Sequence, residues 1–124
     1  ADVVHVSAHA TSTPLGDVAE STAIRLALGS AADSAAVSAP KSQLGHLLGG
    51  AGAVEAILGL RALQERLLPG TRNLLTVDPA VDIDIVIGEA RPVTASRAEA
   101  GVMLSNSFGF GGQNVCLVMR AEPV

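Results

Sequence analysis

Short apolar runs alternate along this chain with longer segments in which apolar residues recur at helical spacing. In chain order, the pattern predicts a strand at 3–8, a helix at 17–28, a strand at 35–39, a helix at 47–66, a strand at 83–87, and two final strands at 101–105 and 115–119. A glycine-rich loop at 106–114 would join the last two strands. Strands separated by helices favour an α/β fold with a mixed, mainly parallel sheet covered by helices.

Local signals predict where the helices begin and end. Asp17, followed three residues later by Glu20, forms a capping-box pattern at the start of the first helix. Gly29 is placed to end that helix, and the pair Pro69-Gly70 is placed to end the long one.

Composition predicts a single domain over residues 1–124 with an aliphatic core. The chain is 48% hydrophobic but contains two Phe and no Tyr or Trp, so its core is packed from aliphatic and small side chains. The first strand begins at Val3 without any lead-in. This favours a chain cut from a larger protein over a native start tied into a sheet edge.

Charge and cysteine content exclude several classes of protein. The net charge is −4, from 8 basic and 12 acidic residues, and no basic stripe is present, which argues against nucleic-acid binding. No apolar run approaches the roughly 20 residues of a membrane helix. The single cysteine, Cys116, excludes an internal disulfide framework and fits a cytoplasmic location. Without a histidine nearby in sequence, it is predicted to be a buried structural thiol.

The reactive side chains are confined to three short motifs, at residues 9–14 (HATSTP), 41–46 (KSQLGH) and 106–114 (NSFGFGGQN). These motifs hold both phenylalanines, the only lysine and two of the three histidines. Confining such chemistry to a few positions of an apolar chain is typical of an enzyme site on a packed scaffold.

His9, Lys41 and His46 lie where an α/β enzyme places its site. His9 follows the first strand, and ligands usually bind at the carboxyl ends of parallel strands. Its imidazole can donate a hydrogen bond to a developing oxyanion, with a structural histidine as the alternative. Lys41, in a strand-exit loop, can orient neighbouring groups, with a surface lysine as the alternative. His46 precedes a helix start whose positive potential favours a neutral imidazole.

The long helix carries one acidic residue on an otherwise small face. By helical spacing, Glu55 shares this face with Gly52 and Gly59, so its carboxylate needs a partner. The glycines at 45–52 do not fit a dinucleotide-binding fingerprint and are predicted to permit close packing of the helix.

The three motifs, in this order, resemble the C-terminal half of a β-ketoacyl-acyl carrier protein synthase of the KAS I/II type. The resemblance covers nearly the whole chain and implies one half of a thiolase-like fold. It also implies that the nucleophilic cysteine belongs to an N-terminal half that is absent from this chain.

The resemblance assigns catalytic roles to three residues. His9 and His46 would stabilise the enolate that forms when the malonyl thioester loses carbon dioxide. Lys41 would organise the site and would not attack the substrate.

It also implies contacts with the substrate. Thr11 and Thr13 would hydrogen-bond the phosphopantetheine arm of the carrier protein, with turn capping as their alternative role. Phe110 would gate the acyl pocket, and Phe108 is assigned to substrate binding, with hairpin anchoring as its alternative. Ala10 stands where the family usually has glycine, so its backbone is expected to avoid a conformation that only glycine tolerates.

A supporting polar cluster of Glu20, Glu55, Ser105 and Asn106 is implied near the lysine. For Glu20, the capping box is the alternative role. In some family members the cluster holds a cation or water. Ser7 stands where the family usually has asparagine, and we assign no metal. No cofactor is expected, because phosphopantetheine arrives on the carrier protein.

The implied function is a decarboxylative Claisen condensation in fatty acid elongation. Acyl carrier protein, the N-terminal half of the same enzyme and a second copy in a homodimer would be the partners. The isolated chain is predicted to be inactive. The alternatives are a ketosynthase of a polyketide pathway, a chain-length factor, and a non-catalytic subunit that only binds carrier protein.

Overall fold

The computed structural model describes residues 3–94 and 101–121. Its elements are β1 (Val3–Ser7), α1 (Pro14–Leu28), β2 (Ala36–Ser38), α2 (Lys41–Leu44), α3 (Ala51–Glu65), β3 (Leu67–Leu68), β4 (Asp84–Ile85), β5 (Arg91–Pro92), β6 (Val102–Gly109) and β7 (Gln113–Arg120). Two 3-10 turns, Gly29–Ser34 and Leu48–Gly50, precede β2 and α3. Within these ranges, no helix has the length and apolarity to cross a membrane.

One five-stranded sheet organises the fold, with strand order β4-β2-β1-β6-β7. The first four strands are parallel, and β7 pairs antiparallel with β6 as a hairpin. The short strands β3 and β5 form a separate antiparallel pair. The prediction of a mixed, mainly parallel sheet covered by helices is therefore confirmed.

Helices α1 and α3 cover opposite faces of the sheet. Val6 of β1 packs in one apolar cluster with Ile24 of α1. The neighbouring His5 faces α3, because a Cβ built on Gly59 would lie 3.9 Å from its Nδ1 atom. Since successive side chains of a strand point to opposite faces, the two helices lie on opposite sides.

Helix α3 approaches the sheet closely because its inner face is small, as the sequence predicted. Ala51, Glu55, Gly59 and Ala62 are all buried on this face. A Cβ on Gly59 would meet the Met103 Cε atom of β6 at 2.1 Å. Glycine lets the helix lie this close to the strand without displacing the Met103 side chain.

The predicted start of the first helix is wrong. α1 begins at Pro14 after an N-cap at Thr13, one turn before the predicted capping box. Proline is favoured in the first turn because it lacks the N–H group that would be unpaired there. Asp17 therefore lies inside the helix, where its Oδ1 atom accepts a hydrogen bond from the Ser12 amide.

The hairpin loop is much shorter than predicted. β6 continues through Gly109 and β7 starts at Gln113, so only residues 110–112 form the turn. Gly111 and Gly112 adopt φ angles of +79° and +78°, which glycine tolerates. The polar residues of the predicted loop lie in strands because the ladder satisfies their backbone, whatever the side chain.

Other differences from the predicted elements are small. The strand predicted at 83–87 shrinks to Asp84–Ile85, with Ile87 forming a single bridge to Thr71. The long helix begins at Ala51, because residues 48–50 form a 3-10 turn first.

Cys116 is exposed, so the prediction of a buried thiol is wrong. It lies on β7, the edge strand of the sheet, whose residues 113–118 are all exposed. The apolar pattern of this strand is that of a buried one, but only its end near Met119 packs against α3.

Candidate functional site

The three motifs meet at one end of the sheet, where β1, β6 and the segment after α2 come together. The His9 ring lies 5.6 Å from the His46 ring in a T-shaped arrangement, measured between centroids. The Phe108 ring of β6 lies 5.7 Å from the His9 ring, tilted by 59°. His9 is thus the centre of a group of three rings drawn from all three motifs.

Glu20 of α1 holds the loop that carries His9. Its carboxylate accepts hydrogen bonds from the amides of His9, at 2.9 Å, and Ala10, at 2.8 Å. Asn106 of β6 donates a third hydrogen bond to it, also at 2.9 Å. The capping-box alternative for Glu20 is therefore wrong, and the predicted proximity of Glu20 and Asn106 is observed.

This anchoring explains an unusual backbone conformation. Ala10 has a φ angle of +30°, so the expectation that it avoids the positive-φ region is wrong. Ser12 follows with φ of +61°. Positive φ costs about 1 kcal/mol or more for a residue with a Cβ. The two hydrogen bonds that the His9 and Ala10 amides donate to Glu20 hold the loop and offset that cost.

The surroundings of His9 favour the neutral form of its imidazole. Burial lowers its pKa below the usual value, and the positive charge of Lys41 lowers it further, against the opposing effect of Glu20. A neutral imidazole at ordinary pH donates one hydrogen bond and carries no charge that would have to be neutralised. His9 can therefore act as a hydrogen-bond donor to a developing negative charge.

His46 has one ring nitrogen bonded to the backbone and the other free of a hydrogen-bond partner within the described residues. Its Nδ1 atom accepts a hydrogen bond from the Leu48 amide at 3.2 Å. A neutral ring that accepts at Nδ1 carries its proton on Nε2. The side chain is exposed, so this N–H group is open to a ligand.

Lys41 is not the surface lysine of its alternative interpretation. It begins α2 instead of lying in a strand-exit loop, and its side chain is only 5% exposed. Its Nζ atom lies 2.6 Å from the Oε1 atom of Glu55, which is 3% exposed. The partner that Glu55 needs by its position on α3 is thus the only lysine of the chain.

The predicted polar cluster forms two groups and not one contiguous network. Glu20 bonds to Asn106, whereas Glu55 pairs with Lys41. Ser105 is buried and lies in register with Ser7 of β1. Within residues 3–94 and 101–121, no group of three or more His, Cys, Asp or Glu side chains is arranged to hold a metal ion.

The residues assigned to substrate binding are spread around the site. Thr11 lines a cavity of about 460 Å³, together with Lys41 and His46. Thr13 is the N-cap of α1, but its hydroxyl makes no capping hydrogen bond, which argues against capping as its role. Phe110 is fully exposed at the tip of the hairpin. Phe108, and not Phe110, contacts the histidine.

His5 is a buried polar residue near the site that was not predicted from the sequence. This residue is completely buried in β1, and burial lowers its pKa from 6.5 to about 4. Its Nε2 atom lies 3.1 Å from Ser38 Oγ. The signal that could have found it is the pair of polar residues, His5 and Ser7, inside an otherwise apolar strand.

Comparison with known proteins matches more than half of the chain to one family. Residues 1–75 match the family described as Beta-ketoacyl synthase, C-terminal domain. A 3-oxoacyl-[acyl-carrier-protein] synthase 2 from Mycobacterium tuberculosis is 50% identical over 116 residues, which cover 94% of this chain and 26% of that protein. The chain thus spans about a quarter of the length of the curated relatives it matches.

The similar solved structures are ketosynthases. A beta-ketoacyl synthase from Burkholderia phymatum has a TM-score of 0.86 and 40% identity, covering 97% of this chain and 28% of that one. A type II PKS acyl-carrier protein in complex with its ketosynthase, bound to the hexaketide, has a TM-score of 0.87 at 32% identity, with the same coverages. These similarities confirm the predicted thiolase-like fold.

Proposed function

The chain belongs to the family of the β-ketoacyl synthase C-terminal domain, and on that premise we propose that it supplies the decarboxylating part of a 3-oxoacyl-acyl carrier protein synthase. The complete enzyme would join an acyl group to a malonyl unit by decarboxylative Claisen condensation in fatty acid elongation. The 50% identity to a 3-oxoacyl-[acyl-carrier-protein] synthase 2 supports this reaction.

The observation that carries the proposal is the pair of imidazoles, His9 and His46, 5.6 Å apart at the end of β1. When malonyl thioester loses carbon dioxide, the electrons of the broken C–C bond move toward the thioester oxygen. Two N–H donors aimed at this oxygen would stabilise the resulting enolate. Its carbon then attacks the carbonyl carbon of the acyl thioester, a new C–C bond forms, and the C–S bond of the acyl thioester breaks to release its thiol.

Lys41 would organise this site without attacking the substrate. A buried ammonium that is 2.6 Å from the carboxylate of Glu55 is held charged and in place, which is unsuitable for a nucleophile. Its positive charge also favours the neutral form of His9. These two properties support a positioning role.

Phosphopantetheine is the proposed ligand of the neighbouring cavity. Thr11 lines this cavity, and the hydroxyl of Thr13 is not used by its helix. Both hydroxyls are therefore free to bond the amides of an extended arm. We propose acyl carrier protein as the partner that delivers the arm, and the ketosynthase complex with a carrier protein supports this.

The acyl-accepting cysteine is proposed to lie in an N-terminal half of the same enzyme. Cys116 is on the exposed edge strand, outside the group of rings around His9. The side chains of α3 and the segment before it also expose apolar surface, at Leu44, Leu47, Leu48, Ile57 and Leu58. Exposed apolar surface of this extent marks an interaction site, and the N-terminal half would bury it. Cytoplasmic location and homodimerisation remain predictions.

The proposal is tested by assaying condensation with the protein at its natural length. We expect conversion of acyl- and malonyl-carrier protein to 3-oxoacyl-carrier protein with release of carbon dioxide. The 124-residue chain alone should neither become acylated nor turn over. Tight binding of carrier protein by the natural-length protein, without either product, would instead indicate a non-catalytic binding subunit.

A polyketide ketosynthase is the second candidate. It is favoured by the similarity to the type II PKS complex, although the identity there is 32% and not 50%. The same assay discriminates, because repeated condensation in the absence of any reducing enzyme would produce poly-3-oxo chains. A product that stops after one extension supports fatty acid elongation.

A further inference from the structure

His5 is the one buried histidine outside the group of rings, and its hydrogen bonding fixes its protonation. Ser38 of β2 donates its only hydroxyl proton to the Pro69 carbonyl at 2.7 Å. Ser38 Oγ must then accept from His5 Nε2, 3.1 Å away, so that Nε2 carries the ring proton. The Nδ1 atom is buried without a hydrogen-bond partner. These two hydrogen bonds form a relay that runs from His5 on β1, through Ser38 on β2, to the turn at Pro69 after β3.

The turn at the end of this relay supports the helix that carries Lys41. Gln43 of α2 donates a hydrogen bond to the Gly70 carbonyl at 2.7 Å. The Arg72 amide donates to Ser42 Oγ at 2.9 Å. Two residues of α2 are thus tied to the segment that begins at Pro69, so the position of α2 depends on where that segment is held.

His5 also lies beside the helix of Glu55. A Cβ built on Gly59 would lie 3.9 Å from the His5 Nδ1 atom and 2.1 Å from the Met103 Cε atom. Glu55 precedes Gly59 by four residues, which places both on the same face of α3. The imidazole and Met103 therefore both border the face of α3 that carries Glu55.

We propose that His5 is a positioning residue for the Lys41–Glu55 ion pair, holding α2 through Ser38 and the Pro69 turn and bordering the face of α3 that carries Glu55. Its bearing on catalysis rests on the proposed function. The geometry of the ion pair can be measured without that function.

The experiment measures how fast an amine-reactive acetylating reagent labels Lys41 in the protein at natural length, by peptide mass spectrometry. Lys41 should be protected because it is buried and paired. His5→Leu removes the ring donor, and Ser38→Ala breaks the relay with a minimal change in volume. His5→Gln keeps an N–H donor near the position of Nε2 and serves as the conservative variant.

Ile24→Ala is the matched control, because Ile24 is buried in the cluster on the other face of the sheet. Denaturant midpoints are measured for all variants, so that the labelling that occurs through global unfolding can be subtracted from each rate. We expect His5→Leu and Ser38→Ala to be labelled about tenfold faster than Ile24→Ala, the effect of losing one buried hydrogen bond. His5→Gln should stay within about twofold of the unsubstituted protein.

Equal labelling rates in Ser38→Ala and Ile24→Ala would overturn the proposal, and this comparison holds even where His5→Leu does not fold. Labelling of His5→Gln as fast as that of His5→Leu would also overturn it. Decarboxylation is measured separately on the unsubstituted protein. Failure there would refute the proposed function and leave the labelling result standing.

Discussion

Lys41 and Glu55 are two charged side chains buried together, and both pay the free-energy cost of leaving water. Each charge is tolerated because the other lies 2.6 Å away. His5 is also buried, but its lowered pKa keeps it neutral instead of charged. At the residue scale, burial therefore decides which ionisable groups are paired and which give up their proton.

Glu55→Ala is expected to lower the free energy of unfolding by about 3–5 kcal/mol, because it leaves the Lys41 ammonium buried without a partner. The control is Glu65→Ala, which breaks the exposed pair with Arg61 on the same helix. That change should cost less than about 1 kcal/mol. Chemical denaturation of both variants checks this, and equal costs would contradict the account.

His5 predicts a stability that falls with acidification. Its pKa is lowered from 6.5 in the unfolded chain to about 4 in the fold, so below pH 6.5 the unfolded state binds more protons. Its contribution is fully present above pH 6.5 and is lost as the pH falls toward 4. The loss amounts to about 3 kcal/mol. In His5→Gln this component should vanish from unfolding curves measured at pH 7 and pH 4, whereas an unchanged pH slope would refute it.

At this scale the sequence singles out residues of rare types. It points to His9, His46 and Lys41 because the chain has few groups that can do their chemistry, and their catalytic roles stay predictions. His5 was missed because the polar pair His5 and Ser7 stands among apolar residues that still read as a buried strand. The burial of Cys116 was wrongly predicted because apolar spacing does not show whether a strand lies at a sheet edge.

The contact of α3 with β6 shows how one element positions another. Gly59 lets the helix lie directly on Met103, and it brings Glu55 to the depth of Lys41. The long, strongly patterned elements, β1, α1 and α3, were predicted with shifted ends. The two-residue strands β3 and β5 were not predicted, because their pairing depends on contacts distant in sequence.

Gly59→Ala is expected to destabilise the fold by about 1–3 kcal/mol, although alanine is the better helix former. The added Cβ would lie 2.1 Å from Met103 Cε, so the helix or the methionine must move. Shortening the methionine in the double variant Gly59→Ala/Met103→Val should recover part of the loss. Calorimetric unfolding of the single and double variants measures this coupling, and strictly additive effects would argue against the contact.

At the scale of the whole molecule, the two imidazoles lie at one end of the sheet and apolar surface is exposed nearby. Glu20 accepts a hydrogen bond from the His9 amide and the Leu48 amide donates one to His46, while apolar side chains near α3 and along β7 are exposed. An arrangement of this kind is expected where a second half of an enzyme closes over the first. The sequence could indicate this only through resemblance, because no pattern within a chain shows what covers its surface.

The most direct test of the central claim is the rate of carbon dioxide release from malonyl-carrier protein by the natural-length protein and its His9→Ala, His46→Ala and double variants. Each single variant should lose about 10²–10³-fold, and the double variant little more, because the two donors act on one oxygen. Arg61→Ala, on the exposed face of α3, should leave the rate unchanged. Near-normal release in either single histidine variant would contradict the account.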